Sequence, residues 1–218
     1  MPIASEAFSE SSFQRVKVKT ALKKRQPNTN VWFFDSPKNK KRLNIFGDLP
    51  FVIAVLLEGE CSVVGYEIDS PPNPFGVVEM KIHYRDKGSE VWDLKRSDKK
   101  LKKRPEVDRL ITEHDFLNRE ILFDNWLILC AAINRCRRCY LGREAKFIVE
   151  STSSTIIRFG ELLDTTDFEP SYMFAAVAMS LQAGVISADL NTELFGTNTI
   201  LRRGNDERES HTNSNGLC

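Results

Sequence analysis

No apolar stretch in this 218-residue chain, such as residues 51–57 or 126–133, approaches the ~20 residues a membrane-spanning helix needs. The basic-then-apolar pattern of a secretory signal is also missing from the N-terminus, so a cytoplasmic address with no membrane partner is expected. Histidine is scarce, with His83, His114 and His211 scattered, and no second CxxC accompanies Cys136 and Cys139. A zinc site at that pair would be short of ligands, and the run around it reads as the end of a helix. The five cysteines, which also include Cys61, Cys130 and Cys218, are odd in number and lack a secretory context, so reduced thiols are expected. No internal repeat is present.

Net charge is nearly absent as well, at +1, but its distribution is lopsided. Residues 1–104 carry 20 Lys and Arg against 13 Asp and Glu, a balance of +7; residues 105–218 carry 11 against 17, a balance of −6. The first half is therefore suited to a polyanion and the second is not. No Lys or Arg occurs between Phe159 and Leu201, where Glu161, Asp164, Asp167, Glu169, Asp189 and Glu193 do occur. With 41% hydrophobic and 28% charged residues, the chain can bury a core as one large domain or two small ones.

Residues 1–30 are polar, and RVKVKTALKKR (15–25) reads as a basic flexible arm or a short basic helix. Short strands are expected at 31–34 and 43–46. Asp48 then stands at a helix N-cap with Pro50 in the first turn, and Gly59 closes that helix. Three strands follow at 61–68, 77–84 and 90–95, the last two joined by a turn at 86–88. Residues 107–111 suit one more strand. A helix over 118–138 has Leu122, Trp126, Leu129 and Ile133 on one face. In the second half, Ser153 and Ser154 can cap a helix over 155–163. Pro170 opens another helix that ends at Gly184, and strands at 185–190 and 199–203 complete a winged-helix outline. Tyr172, Met173 and Phe174 are assigned to the core of that part. The tail, 204–218, is polar and expected to be disordered.

The hairpin carries the chemistry. Alternation puts Glu79, Lys81 and His83 on one strand face, and Asp93 and Lys95 on the matching face of the next strand. Two acids and a lysine, the last pair at i and i+2, form the pattern of the PD-(D/E)xK nuclease fold. Carboxylates suit Mg²⁺, a hard ion, and the lysine then lies beside the water that attacks a phosphodiester. A solvated strand face bearing the same residues is the other reading of this pattern.

Longer segments resemble TnsA-like endonuclease subunits of heteromeric (TnsABC-type) transposases. DLPFVIAVLLEGECSVVGY (48–66) resembles that family's helix-then-strand opening, VWDLKR its strand with the x-Lys pair, and LITEHDF (110–116) its strand-to-helix junction. QAGVISADLNTELFGTNTILRR resembles its winged-helix close. The resemblance implies an α/β chain, with a restriction-endonuclease-like mixed-sheet domain at 31–140 and a small winged-helix-like domain at 141–203. It implies that Glu79, Asp93 and Lys95 are catalytic, with Glu79 and Asp93 as Mg²⁺ ligands. The family's glutamate in the first helix falls on Pro50, which leaves Asp48 as the third acid. Glu58, at the far end of that helix, lies too far along its axis to substitute.

The implied partners are double-stranded DNA at transposon ends, a DDE-type transposase and an AAA+ regulator; the implied activity is cleavage of the 5′ strands. A non-cutting accessory subunit of the same fold, a stand-alone restriction-type nuclease and a basic DNA-binding protein are the alternatives. Lys99, Lys100, Lys102, Lys103 and Arg104, with Lys23, Lys24 and Arg25 in the arm, are the expected DNA-backbone contacts.

Overall fold

A computed structural model describes residues 29–69, 72, 77–95, 104–153 and 155–204. The described chain opens with an antiparallel hairpin of its own, β1 (Val31–Ser36) and β2 (Lys41–Phe46). Helix α1 (Asp48–Gly59) follows. Its cap differs from expectation: Gly47, at φ 96°, precedes the helix, and Asp48 is the first helical residue. A left-handed backbone there favours glycine over any side chain. Apolar residues surround α1, and nine of its twelve residues are buried, as suits a central helix. Gly59 ends it against Trp126, whose indole Nε1 would stand 2.1 Å from a Cβ at that position.

The central sheet has the order β3-β4-β5-β6, from β3 (Val63–Asp69), β4 (Val78–Tyr84), β5 (Ser89–Lys95) and β6 (Arg109–Thr112). The first three form an antiparallel meander, and β6 runs parallel to β5. Gly88, at φ 83°, lets the β4–β5 turn close as the sequence predicts. Val78, Met80, Ile82, Trp92 and Leu94 join the buried core with Ile53, Ala54 and Leu57 of α1. Strand alternation therefore puts Glu79, Lys81, Asp93 and Lys95 together on the other face.

After a 3-10 turn (Glu113–Phe116), α2 (Glu120–Arg135) buries Trp126, Leu129 and Ile133 on the expected face, with Leu122 packed at its edge. Helix α3 (Gly142–Thr152) was not anticipated. The helix expected over 155–163 is replaced by β7 (Ile157–Arg158) and a six-residue α4 (Phe159–Asp164). Ser153 caps nothing ahead of it; it follows the end of α3 and its hydroxyl turns back to the Val149 carbonyl. Ser154 lies outside the described residues.

Helix α5 (Pro170–Gln182) starts at Pro170 as expected, with the Glu169 carboxylate accepting from the Tyr172 amide at 3.0 Å. Beyond its end Gly184 takes φ 70°. The expected strands are present as β8 (Ile186–Ser187) and β9 (Ile200–Arg203), and they pair in the order β7-β9-β8. Met173 is fully buried and Phe174 packs against the core, but Tyr172 is 40% exposed and is not a core residue. Helix α2 packs against both α1 and α5, so one continuous core runs through both halves of the chain. No helix among the described residues is long and apolar enough to cross a membrane.

Candidate active site

Register brings two of the expected site residues into direct opposition. Glu79 on β4 and Asp93 on β5 are cross-strand partners. Asp93 is only 5% exposed, while the Glu79 side chain reaches solvent. Lys95 lies two residues further along β5, paired with Thr112 of β6.

One cation binds both acids, and it comes from the basic run. Arg104 Nη2 donates to Asp93 Oδ1 at 2.5 Å and to Glu79 Oε2 at 2.8 Å, and Nε donates to Asp93 Oδ2 at 2.9 Å. The two carboxylates push the guanidinium pKa still further above its ordinary value. Local structure fixes where this side chain starts. Pro105 occupies the second position of a turn closed by the Val107 amide donating to the Arg104 carbonyl at 3.1 Å. The turn is tied to β5 on its far side: the Asp108 amide donates to the Val91 carbonyl at 2.8 Å, and the Val91 amide donates to Asp108 Oδ2 at 2.7 Å.

This pair bears on whether a divalent ion suits the residues present. Two adjacent carboxylates offer the hard oxygens Mg²⁺ prefers, and such ions are often held by one or two carboxylates. Glu79 and Asp93 supply oxygens of the kind such an ion takes, and Arg104 is bonded to three of those oxygens.

Asp48 does not join them. Its Oδ1 accepts from Asn30 Nδ2 at 2.8 Å and from Trp32 Nε1 at 2.9 Å. The Trp32 ring is stacked on Phe51 at 4.4 Å, which holds its N–H toward Asp48. Asp48 instead lines a separate cleft of about 350 Å³ with Leu49, Val52, Phe116, Arg119 and Phe123. Among the described residues no three Asp, Glu, His or Cys side chains converge on a metal position. The expected three-acid set is thus reduced to two, because the start of α1 turns toward the β1 hairpin. Pro50 is buried.

Of the expected DNA contacts, Lys23, Lys24, Arg25, Lys99, Lys100, Lys102 and Lys103 lie outside the described residues. Arg104 is described, and its guanidinium faces carboxylates.

Sequence reasoning missed a second polar cluster. Glu58 is fully buried and accepts from the Ser36 hydroxyl, the Tyr66 hydroxyl at 2.7 Å, the Lys38 amide at 3.0 Å and Gln182 Nε2 at 3.0 Å. Burial raises its pKa, and the hydrogen bonds from Ser36, Tyr66 and Lys38 oppose the rise. Four donors from β1, the following turn, β3 and α5 make it a structural junction. The cysteines at 61, 130, 136 and 139 are unoxidised; Cys136 is buried at the end of α2 and Cys139 is exposed in the turn beyond it.

Compared with protein-family models, with curated proteins and with solved structures, the chain matches none of them.

Proposed function

We propose that this chain is a nuclease-fold subunit of the TnsA-like kind, which works with a DDE-type transposase at transposon ends and cleaves the 5′ strands. The observation that carries the reading is the cross-strand pair Glu79 and Asp93, convergent on one cationic point, with Lys95 two residues along the same strand face. The surrounding architecture supports it. A helix leads into a three-strand meander, and a fourth strand lies parallel to the third, the arrangement expected of a restriction-endonuclease-like domain. In the second half the sequence α3-β7-α4-α5-β8-β9, with β9 in the middle of its sheet, suits a winged helix.

Under this reading Glu79 and Asp93 hold Mg²⁺. When bound, the ion supplies Lewis-acid charge against a phosphodiester. Lys95 orients the attacking water on the same strand face. The basic residues at 99–103 and in the arm favour a phosphate backbone by charge alone. Helix α5 is not suited to reading bases: Met173, the run from 175 to 178, Ser180 and Leu181 are buried, and its sequence has no Lys or Arg. The second half then serves to dock on its own nuclease half and on a protein partner, such as the transposase or an AAA+ regulator.

A second reading, a non-cutting accessory subunit of the same complex, is favoured by two observations. Pro50 takes the place of the first acid, and Asp48 is bonded to Asn30 and Trp32, away from Asp93. One assay separates the two. The protein is incubated with its transposase partner, transposon-end DNA and Mg²⁺, beside Asp93→Ala and Lys95→Ala. Nicks on the 5′ strand that vanish in both variants support cleavage. Absence of nicking, or nicking that survives both changes, removes the catalytic assignment and leaves the accessory role.

A further inference from the structure

We infer that Arg104 is a gate on the acid pair: its guanidinium occupies the carboxylates until a phosphodiester draws it away, so that nucleic acid and a divalent cation enter together. The inference rests on the metal-holding role proposed above for Glu79 and Asp93.

Among the described residues, one guanidinium takes Asp93 Oδ1, Asp93 Oδ2 and Glu79 Oε2. A metal ion needs those same oxygens, so ion and guanidinium exclude one another. Arg104 pairs with Glu79 and Asp93 and, at 3.5 Å, with Glu106, while Lys95 adds a second cation on the same strand face, so an ion on the Glu79 and Asp93 oxygens would be repelled by a guanidinium kept there. Arg104 can also leave without a change of backbone, provided that another cation takes its place on the buried Asp93. Its side chain is 39% exposed, and its backbone is held by the turn into β6, so rotation about side-chain bonds suffices and no core group moves.

The guanidinium has somewhere to go. Its planar fork matches the oxygens of a phosphate as well as those of a carboxylate, and both bonds are charge-assisted. It stands at the end of the run Lys99, Lys100, Lys102, Lys103, whose charges favour a phosphate backbone nearby. The exchange conserves charge pairing: one guanidinium–carboxylate contact becomes a guanidinium–phosphate contact, and the released carboxylates take up the ion. Without a polyanion the guanidinium competes for the pair, so the protein binds metal more weakly in the absence of DNA.

The test is a calorimetric titration of the full chain with Mn²⁺ alone, for wild type, Arg104→Gln, and Arg104→Gln combined with Asp93→Asn. Arg104→Gln is expected to bind Mn²⁺ about ten-fold more tightly than wild type, with the gain lost in the double variant. Anisotropy of a labelled duplex supplies the second readout. Arg104→Gln should weaken duplex binding several-fold in millimolar Ca²⁺, where the arginine has moved to phosphate, and leave it unchanged in EDTA. Equal Mn²⁺ affinity in wild type and Arg104→Gln, abolished by Asp93→Asn, would overturn the gate and leave the metal site standing. Absence of any Asp93-dependent Mn²⁺ binding would overturn both. Should Arg104→Gln fail to fold, Arg104→Lys decides: it keeps the charge but cannot chelate the pair, so an intermediate gain supports the gate and no gain overturns it.

Discussion

Asp93 and Arg104 meet as a two-point pair, Nη2 to Oδ1 at 2.5 Å and Nε to Oδ2 at 2.9 Å, with the acid buried and the base half in water. A buried carboxylate that loses its partner is left with an uncompensated charge. Arg104→Ala should therefore cost about 2 kcal/mol, a figure kept below that of a fully buried pair because the guanidinium is solvated. Arg104→Ala with Asp93→Asn should lose clearly less than the sum of the single changes. Urea unfolding of the four proteins measures this; strict additivity would mean that the pair contributes no coupling.

Glu58 should matter more to stability than any residue of the acid pair. Glu58→Ala leaves buried donors from Ser36, Tyr66, Lys38 and Gln182 without their acceptor. A loss of about 3 kcal/mol is expected. Glu58→Gln should recover only part of it, since the amide nitrogen would face donors. A denaturation midpoint unchanged by Glu58→Ala would refute the junction role.

Lys38 predicts a pH dependence. Its ammonium donates to the carbonyls of Glu60 and Val63, and burial lowers its pKa to about 8 from 10.5, against the opposing pull of Glu58 and Glu60. Between those values the unfolded chain still holds the proton that the folded chain has released. Stability from this group therefore rises with pH through that window, by about 3 kcal/mol over its full width and roughly 2 kcal/mol by about pH 9.5. In Lys38→Met the rise should disappear. Unfolding free energies of both proteins from pH 7 to about pH 9.5, below tyrosine titration, test the difference.

Gly59 and Trp126 make a fourth prediction. A methyl group at residue 59 would overlap the indole at 2.1 Å from Nε1 and 2.2 Å from Cε2. Gly59→Ala should destabilise by about 2 kcal/mol through forced movement of α2 against α1. Combining it with Trp126→Leu, which removes the obstructing ring, should cost less than the two changes added. Thermal unfolding of the single and double variants reads this directly.

The central sheet was legible because its strands alternate cleanly and Gly88 marks the turn between two of them. Helix α5 was legible from Pro170 and Gly184, which bracket it. Helix α3 was not, for a reason visible in its burial. Its buried positions, Glu144, Ile148 and Thr152, follow helical spacing, but two of the three are polar, so a pattern based on apolar residues passes over them. At the site, the opposition of Glu79 and Asp93 followed from strand register and could be read locally. The roles of Arg104 and Asp48 could not. Arg104 reads as one more cation in a basic run, and only the turn at Pro105 brings it back over β5. Asp48 reads as a possible third acid until Trp32, stacked on Phe51, is seen to bond it.

The parallel pairing of β5 with β6 also has a consequence in time. Antiparallel neighbours need only a tight turn, so β3, β4 and β5 can assemble from contacts close in sequence. A parallel neighbour must wait for a longer loop to close. Arg104 lies on that loop, at the turn that leads into β6. During folding the two carboxylates should therefore meet before their guanidinium arrives, passing through a short-lived species with its acidic face bare. In pulse-labelled hydrogen exchange, amides of β4 and β5 should gain protection ahead of those of β6.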